Sequence, residues 1–191
     1  MPKSRQAAPP PTLSTPSLDL VACDLHLIRA EMRDRAALAQ ALPAQVPENW
    51  PPELMLDALP WFSESLERQP SLAGWLCWYW LRREPDQLRR VLVGSGGFRG
   101  CPDQEGCLEC GYSLLPQFQG RGLALEAMRA LVEWAFGHDG VGRLVAETYP
   151  VLHPSVRLLA RLGFDRAGQG RDPGSLRYEL PRPALRQTPA A

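Results

Sequence analysis

Apolar positions change their spacing several times along the chain, and each change marks an element. Residues 18–22 form a short apolar run. Residues 30–42 are rich in Ala, Leu, Glu and Arg and predict a helix, which Pro43 and Pro47 stop. Residues 51–67 carry Leu54, Leu56, Leu59, Trp61, Phe62 and Leu66, and predict one interrupted helix or two short ones, because Pro60 lacks a backbone donor. The aromatic run over residues 74–82, with Trp75, Trp78, Tyr79 and Trp80, predicts a strand buried on both faces or turned by one face to a pocket. Residues 88–98 and 106–115 predict two further strands, and the Gly- and Cys-bearing link over 99–105 suits a hairpin between them.

The periodicity is clearest over residues 121–137. There Leu123, Ala127, Ala130, Leu131 and Trp134 fall on one side of a helix, while Glu126, Arg129 and Glu133 recur on the other. Residues 144–148 predict a strand. Residues 154–162 predict a helix opened by Pro154 and stopped by Gly163, and 164–167 with 176–180 predict a closing hairpin-like pair. Strand, helix, strand, helix, strand implies a mixed sheet covered by helices. Residues 1–17, with Pro2, Pro9, Pro10, Pro11 and Pro16, and residues 181–191, with Pro181, Pro183 and Pro189, predict flexible tails around a single domain over 18–180.

Composition narrows the class. A chain of 191 residues suits one domain, and 45% hydrophobic with 22% charged residues is globular usage, against a disordered or membrane-spanning protein. Lys plus Arg equals Asp plus Glu at 21 each, so no basic field exists to hold a nucleic acid. The five cysteines are an odd number and no apolar secretory segment stands at the start, which points to a reducing cytoplasm. Cys101, Cys107 and Cys110 cluster, but a structural zinc site needs four ligands as a rule, so they read as ordinary strand and loop residues and no metal is expected.

Candidate chemistry sits where a predicted strand meets the best predicted helix. The stretch from Tyr112 through Gln117, Gln119, Gly120, Arg121 and Gly122 to Ala124 turns on two glycines and then enters that helix. Free N–H groups at a helix N-terminus, glycines that let an anion approach, and the charge of Arg121 together predict a phosphate or pyrophosphate guest. A Walker loop is excluded because no Gly-Lys-Ser or Gly-Lys-Thr is present. Gly94, Gly96 and Gly97 precede Arg99 where a dinucleotide fingerprint needs glycine, so that stretch reads as a strand end.

The spacing Gln117-x-x-Gly120-x-Gly122 resembles the Gln/Arg-x-x-Gly-x-Gly/Ala signature of the GNAT superfamily of acyl-CoA-dependent N-acyltransferases. The resemblance extends to Glu109-Cys-Gly-Tyr112, similar to the family's fourth strand, and to His153-Pro-Ser155 through Gly163-Phe164, similar to its fourth helix. It covers about residues 88–180 and lies nearest the branch with the ribosomal-protein N-terminal acetyltransferases.

That resemblance implies an α/β (α+β) domain with a mostly antiparallel sheet of six to seven strands, about four flanking helices, and a splay between strands four and five. Acetyl-CoA is the implied co-substrate. Its pantetheine arm would pair with backbone near Ser113, Leu114 and Leu115, and Gln117 and Gln119 to Ala124, including Leu123, would hold the pyrophosphate. Ser155 and Leu158 would flank the thioester. The implied reaction moves an acetyl group to a primary amine by direct attack, with Glu109 as base, or else Glu109 points outward to solvent. Ser155 either bonds near the CoA sulfur or serves its helix turn.

The sequence departs from the family where many members carry a tyrosine acid, since Leu159 stands there. The thiolate would then rely on water, on Ser155 or on the helix N-terminus. A catalytically degenerate acyl-CoA-binding module is the alternative reading. His153 reads as a helix-start residue rather than a base, and His26 and His138 have no chemical neighbourhood. The tryptophans, Trp61 and Phe62 serve the core or an acceptor pocket. No membrane partner is expected, and the chain is a monomer or a homodimer.

Overall fold

The computed structural model describes residues 10–85 and 88–183. The chain runs β1 (Thr12–Ser14), β2 (Leu18–Ala22), α1 (Leu25–Arg33), α2 (Arg35–Ala41), α3 (Glu53–Leu56), α4 (Leu59–Arg68), β3 (Cys77–Arg83) and β4 (Arg90–Phe98). It continues with β5 (Cys107–Leu114), α5 (Leu123–Phe136), β6 (Arg143–Thr148), α6 (His153–Leu162), β7 (Asp165–Gln169) and β8 (Leu176–Pro181). One sheet forms, in the order β1-β2-β3-β4-β5-β6-β8-β7. Its pairs are antiparallel except for β5 with β6. Eight strands exceed the expected six to seven, and the mixed, mostly antiparallel class holds.

Two apolar clusters sandwich the sheet. On one face Trp78, Trp80, Leu108, Cys110 and Leu144 meet α5 through Leu123, Ala127, Met128, Leu131 and Ala135, and α6 through Leu159. On the other face Cys77, Tyr79, Leu81 and Leu92 meet Leu27, Ile28, Leu38, Leu59 and Leu66 of α1, α2 and α4. The aromatic run of β3 is therefore buried on both sides, with alternate residues serving opposite clusters.

Three differences from the sequence expectation have local causes. The helix expected over 30–42 is two helices, because the Asp34 side chain accepts from Ala37 N at 2.7 Å and caps a new start. Asp24 caps α1 in the same way, accepting from Leu27 N at 2.9 Å, so helix begins earlier than expected. Thr12–Ser14, expected within a flexible tail, is strand β1. Leu13 packs on the core, and the Thr15 hydroxyl and Ser17 N–H both donate to Glu126 Oε1 at 2.6 Å, which fastens this segment to α5. The rest of the expected tails, residues 1–9 and 184–191, lies outside the described residues.

Candidate active site

Strands β5 and β6 begin side by side and then part. Their parallel register pairs Cys107 with Arg143, Leu108 with Leu144 and Glu109 with Val145, and stops there. β5 continues to Leu114, held on its outer side by β4, and β6 continues to Thr148, held by β8. Each strand keeps one partner, so the facing sides open as a wedge. Antiparallel alternation decides which backbone groups look into it. Arg99 N donates to Glu109 O and Leu115 N donates to Val93 O, both at 3.0 Å, so the odd-numbered residues of this stretch bond to β4. Tyr112 and Leu114 therefore present their amides to the opening. Leu115, expected to pair with a pantetheine arm, has its N–H held by Val93 and its side chain buried among the α1–α4 cluster. By the same alternation the Ser113 backbone turns toward β4, its pairing partner being Ser95.

At the mouth of the wedge the chain makes a single 3-10 turn over Pro116–Phe118 and then the loop into α5. Gly120 has φ 73 and Gly122 has φ 79. That left-handed region is costly for other residues. A Cβ on either glycine would meet nothing within 4 Å. These positions therefore need glycine for backbone shape and leave open space before the loop. Gly122 is the N-cap of α5 and provides no side-chain bond to the first turn, so the amides of Leu123 and Ala124 face the loop without a side-chain acceptor. Arg121 is exposed and has no ion-pair partner among the described residues. Uncapped amides, open space and a free guanidinium make the loop fit a diphosphate.

The two glutamines of this segment play different parts. Gln119 Nε2 donates to Leu114 O at 2.9 Å and folds the loop back on β5. Gln117 exchanges two bonds of 2.9 Å with Asn49, which anchors the turn to the connection after α2. An open cavity of about 350 Å³ lies beside Gln117 and Phe118, walled by Arg82, whose guanidinium stands 5.2 Å from the centre of the Phe118 ring.

The start of α6 closes the other side. Ser155 N donates to Leu152 O at 2.9 Å within the first turn. The Ser155 hydroxyl does not cap the helix; it lies 2.8 Å from the Tyr112 hydroxyl, which crosses from β5. Burial pushes the Tyr112 phenol up, opposed by the Ser155 bond and reinforced by Cys110, to about 12. Leu158 packs half-buried on the core, and Leu159 is fully buried within it.

Glu109 points to the opposite face of β5. Its carboxylate accepts from Arg171 Nη2, and Arg99 Nη1 lies 3.6 Å away. Arg171 belongs to the β7–β8 loop and also reaches Glu147 of β6, by Nε at 3.4 Å and by its backbone N–H at 2.9 Å. The neighbouring Gly170 is needed for that closeness, since a Cβ there would lie 2.8 Å from Glu147 Oε2 and 2.1 Å from Ser175 Oγ. Glu109 is thus neither free nor simply turned to solvent.

The remaining candidates do not gather here. His153 is exposed at the start of α6 and His26 is exposed on α1. His138 packs against Trp134 and Trp75 with ring centroids 4.4 and 4.7 Å away. Cys110 is buried toward α5, Cys107 alternates to the other face and Cys101 is exposed. Among the described residues no three His, Cys, Asp or Glu side chains gather as metal ligands. Nor is any helix there long and apolar enough to cross a membrane.

The sequence model of the Acetyltransferase (GNAT) domain matches residues 24–165. The chain belongs to the GNAT family. The uncharacterized N-acetyltransferase YjdG of Bacillus subtilis (strain 168) is 27% identical over 152 residues, covering 80% of this GNAT chain and 88% of that protein. The ribosomal protein uS5-alanine N-acetyltransferase of Escherichia coli (strain K12) is 37% identical over 95 residues, covering 47% and 45% of the two chains. Among solved structures, the ribosomal-protein-S5-alanine acetyltransferase of Vibrio fischeri matches with a TM-score of 0.60 at 17% identity, over 91% of this chain and 98% of that one. RimJ of Mycobacterium smegmatis, in complex with CoA-disulfide, matches with a TM-score of 0.59 at 19% identity, over 93% and 89%. At such identities the likeness is one of fold. This GNAT protein is an acyltransferase enzyme.

Sequence reasoning missed three residues of this candidate site. Tyr112 was legible only as part of a strand, Glu147 only as a strand residue, and Arg171 only as loop. Their contacts join residues 43, 24 and 62 positions apart, beyond the reach of local spacing. No local spacing signals them: Tyr112 follows Glu109 by three residues in the quoted motif, which does not show what its hydroxyl meets.

Proposed function

We propose that this enzyme transfers an acetyl group from acetyl-CoA to a primary amine by direct attack of the amine on the thioester. One observation carries the reading: strand β5, parted from β6 beyond Glu109, leads into a glycine-shaped loop whose helix amides and Arg121 are open to an anion. The loop from Gln119 to Ala124 is suited to the diphosphate, and the amides of Tyr112 and Leu114 are suited to an extended amide-bearing arm. The bound thioester supplies the acyl carbon. Glu109 is the candidate to take a proton from the attacking ammonium, directly or through water. Arg171 and Arg99 hold that carboxylate in place.

The acceptor is a small amine, an amino acid or a protein N-terminus. The names of the relatives, which include a ribosomal protein uS5-alanine N-acetyltransferase, favour including N-terminal alanine peptides among the amines tried. The test is thiol release from acetyl-CoA by the purified protein against such a panel, with calorimetry of CoA binding alongside. Amine-dependent release supports the reading. Tight CoA binding with no release for any amine supports the non-catalytic module, which the burial of Leu159 favours. No heat with CoA at millimolar concentration removes both.

A further inference from the structure

Leu159 stands where the family resemblance implies a tyrosine acid, and its hydrocarbon side chain, fully buried in the core, has no proton to give. A different tyrosine reaches the same helix from the strand. Tyr112 lies on β5 three residues past Glu109, the last residue paired with β6, and so stands along the open side of the wedge. Its ring packs partly buried beside the α5–α6 cluster, and its hydroxyl meets Ser155 Oγ at 2.8 Å and the Ser155 carbonyl at 3.5 Å. Ser155 sits in the first turn of α6, where the helix amides favour negative charge. A strand bordering the arm, a phenol and a helix N-terminus thus converge on one point.

We propose that Tyr112 is the general acid that protonates the departing CoA sulfur, with Ser155 holding its oxygen. This rests on the acetyl-CoA-dependent reading given above. The amine lone pair forms the new C–N bond at the thioester carbonyl carbon, and the C–S bond breaks with its electron pair on sulfur. The Tyr112 O–H proton passes to that sulfur. Ser155 donates its hydroxyl hydrogen to the phenol oxygen and so stabilises the phenolate, which regains a proton from solvent. The ammonium proton leaves to Glu109 or water, so an amine and a thioester become an amide and a thiol with every proton accounted for. The phenol suits this direction of transfer, because burial keeps it protonated far above neutral pH. The titratable group acting on it, the Cys110 thiol of the same strand, is itself pushed up to about 12 by burial, so it stays neutral over the same range.

The experiment uses acetyl-CoA with the most active amine from the panel. Tyr112→Phe is expected to lower kcat about a hundredfold, with KM for acetyl-CoA and the melting temperature unchanged. Fluorinated tyrosines at position 112, which keep the hydroxyl and change its acidity, are expected to give a kcat that varies with phenol acidity. A purely structural tyrosine would give a flat series, and a flat series overturns the proposal even where Tyr112→Phe is inactive or unfolded. So does a Tyr112→Phe enzyme within about threefold of wild type, a margin far inside the range of general-acid effects. A wild-type enzyme that binds CoA and releases no thiol with any amine sinks the parent reading instead, and this one with it.

Discussion

Glu109 stands directly opposite Val145 in the last register pair of β5 and β6, and every later residue of the two strands lacks a partner across the gap. The carboxylate therefore sits at the apex of the opening, on the face away from α5 and α6. Glu109→Gln keeps the size of the side chain and removes its charge. We expect kcat/KM to fall about a hundredfold, with CoA affinity unchanged by calorimetry. Equal activity across pH about 6 to 9 would remove Glu109 from the mechanism, since a general base is what shapes that range.

Gly120 tests the anion loop. A Cβ there meets no atom within 4 Å, and valine still has to adopt φ 73. The strain is about 1–2 kcal/mol, and the side chain projects into the space an anion needs. Gly120→Val is expected to weaken CoA binding at least about tenfold, or roughly 1.4 kcal/mol, while the melting temperature falls only by a few degrees, roughly in line with that strain. Unaltered affinity would mean that the diphosphate sits elsewhere.

Glu31 gives a pH dependence of stability that is independent of catalysis. It projects from α1, half-buried, and accepts from Trp50 Nε1 at 2.7 Å and from the Tyr79 hydroxyl. Burial raises its carboxyl to about 7, with the Trp50 bond pulling the other way. The folded value lies above the unfolded one, so the native state binds more protons between them. The contribution is fully present below the ordinary carboxylate range and is lost as pH rises through about 7. Melting temperature is expected to decline from mildly acidic to mildly alkaline buffer, with a slope of at most about 1.4 kcal/mol per pH unit from this group. Glu31→Gln should flatten that decline, and an unchanged slope would assign it to other groups.

Leu159 invites a restoration that the fold forbids. Leu159→Tyr adds a ring and a hydroxyl to a site with no exposure at all. Overpacking costs about 1–3 kcal/mol, and an unpaired buried hydroxyl adds to it. The expected result is a lower melting temperature with no gain in kcat. A gain in kcat would show that α6 can present position 159 to the wedge.

What the sequence disclosed was whatever obeys a local rule. Leu123 to Phe136 repeats every three to four residues, Pro154 and Gly163 bracket α6, and Gly120 and Gly122 announce a loop that requires positive φ. The splay was legible only through resemblance to a family, because two adjacent strands give no sign in their own residues of where pairing stops. Asp34 shows a local rule overlooked: an aspartate amid helix formers is a cap, and the break follows. Tyr112 with Ser155, and Arg171 with Glu109, depend on strands and loops brought together from distant parts of the chain, and no spacing encodes such meetings.

The fastening of Thr15 and Ser17 to Glu126 has an electrostatic side. Glu126 is the acidic residue in the first turn of α5, two to four positions from the residues that face the loop. Left unanswered, its charge would repel an anion arriving at Gly120 and Gly122. Two donors from the segment after β1 converge on the same carboxylate oxygen and draw it toward the sheet's far edge. The turn after the short N-terminal strand thereby fixes where the negative charge in the first turn of α5 is held.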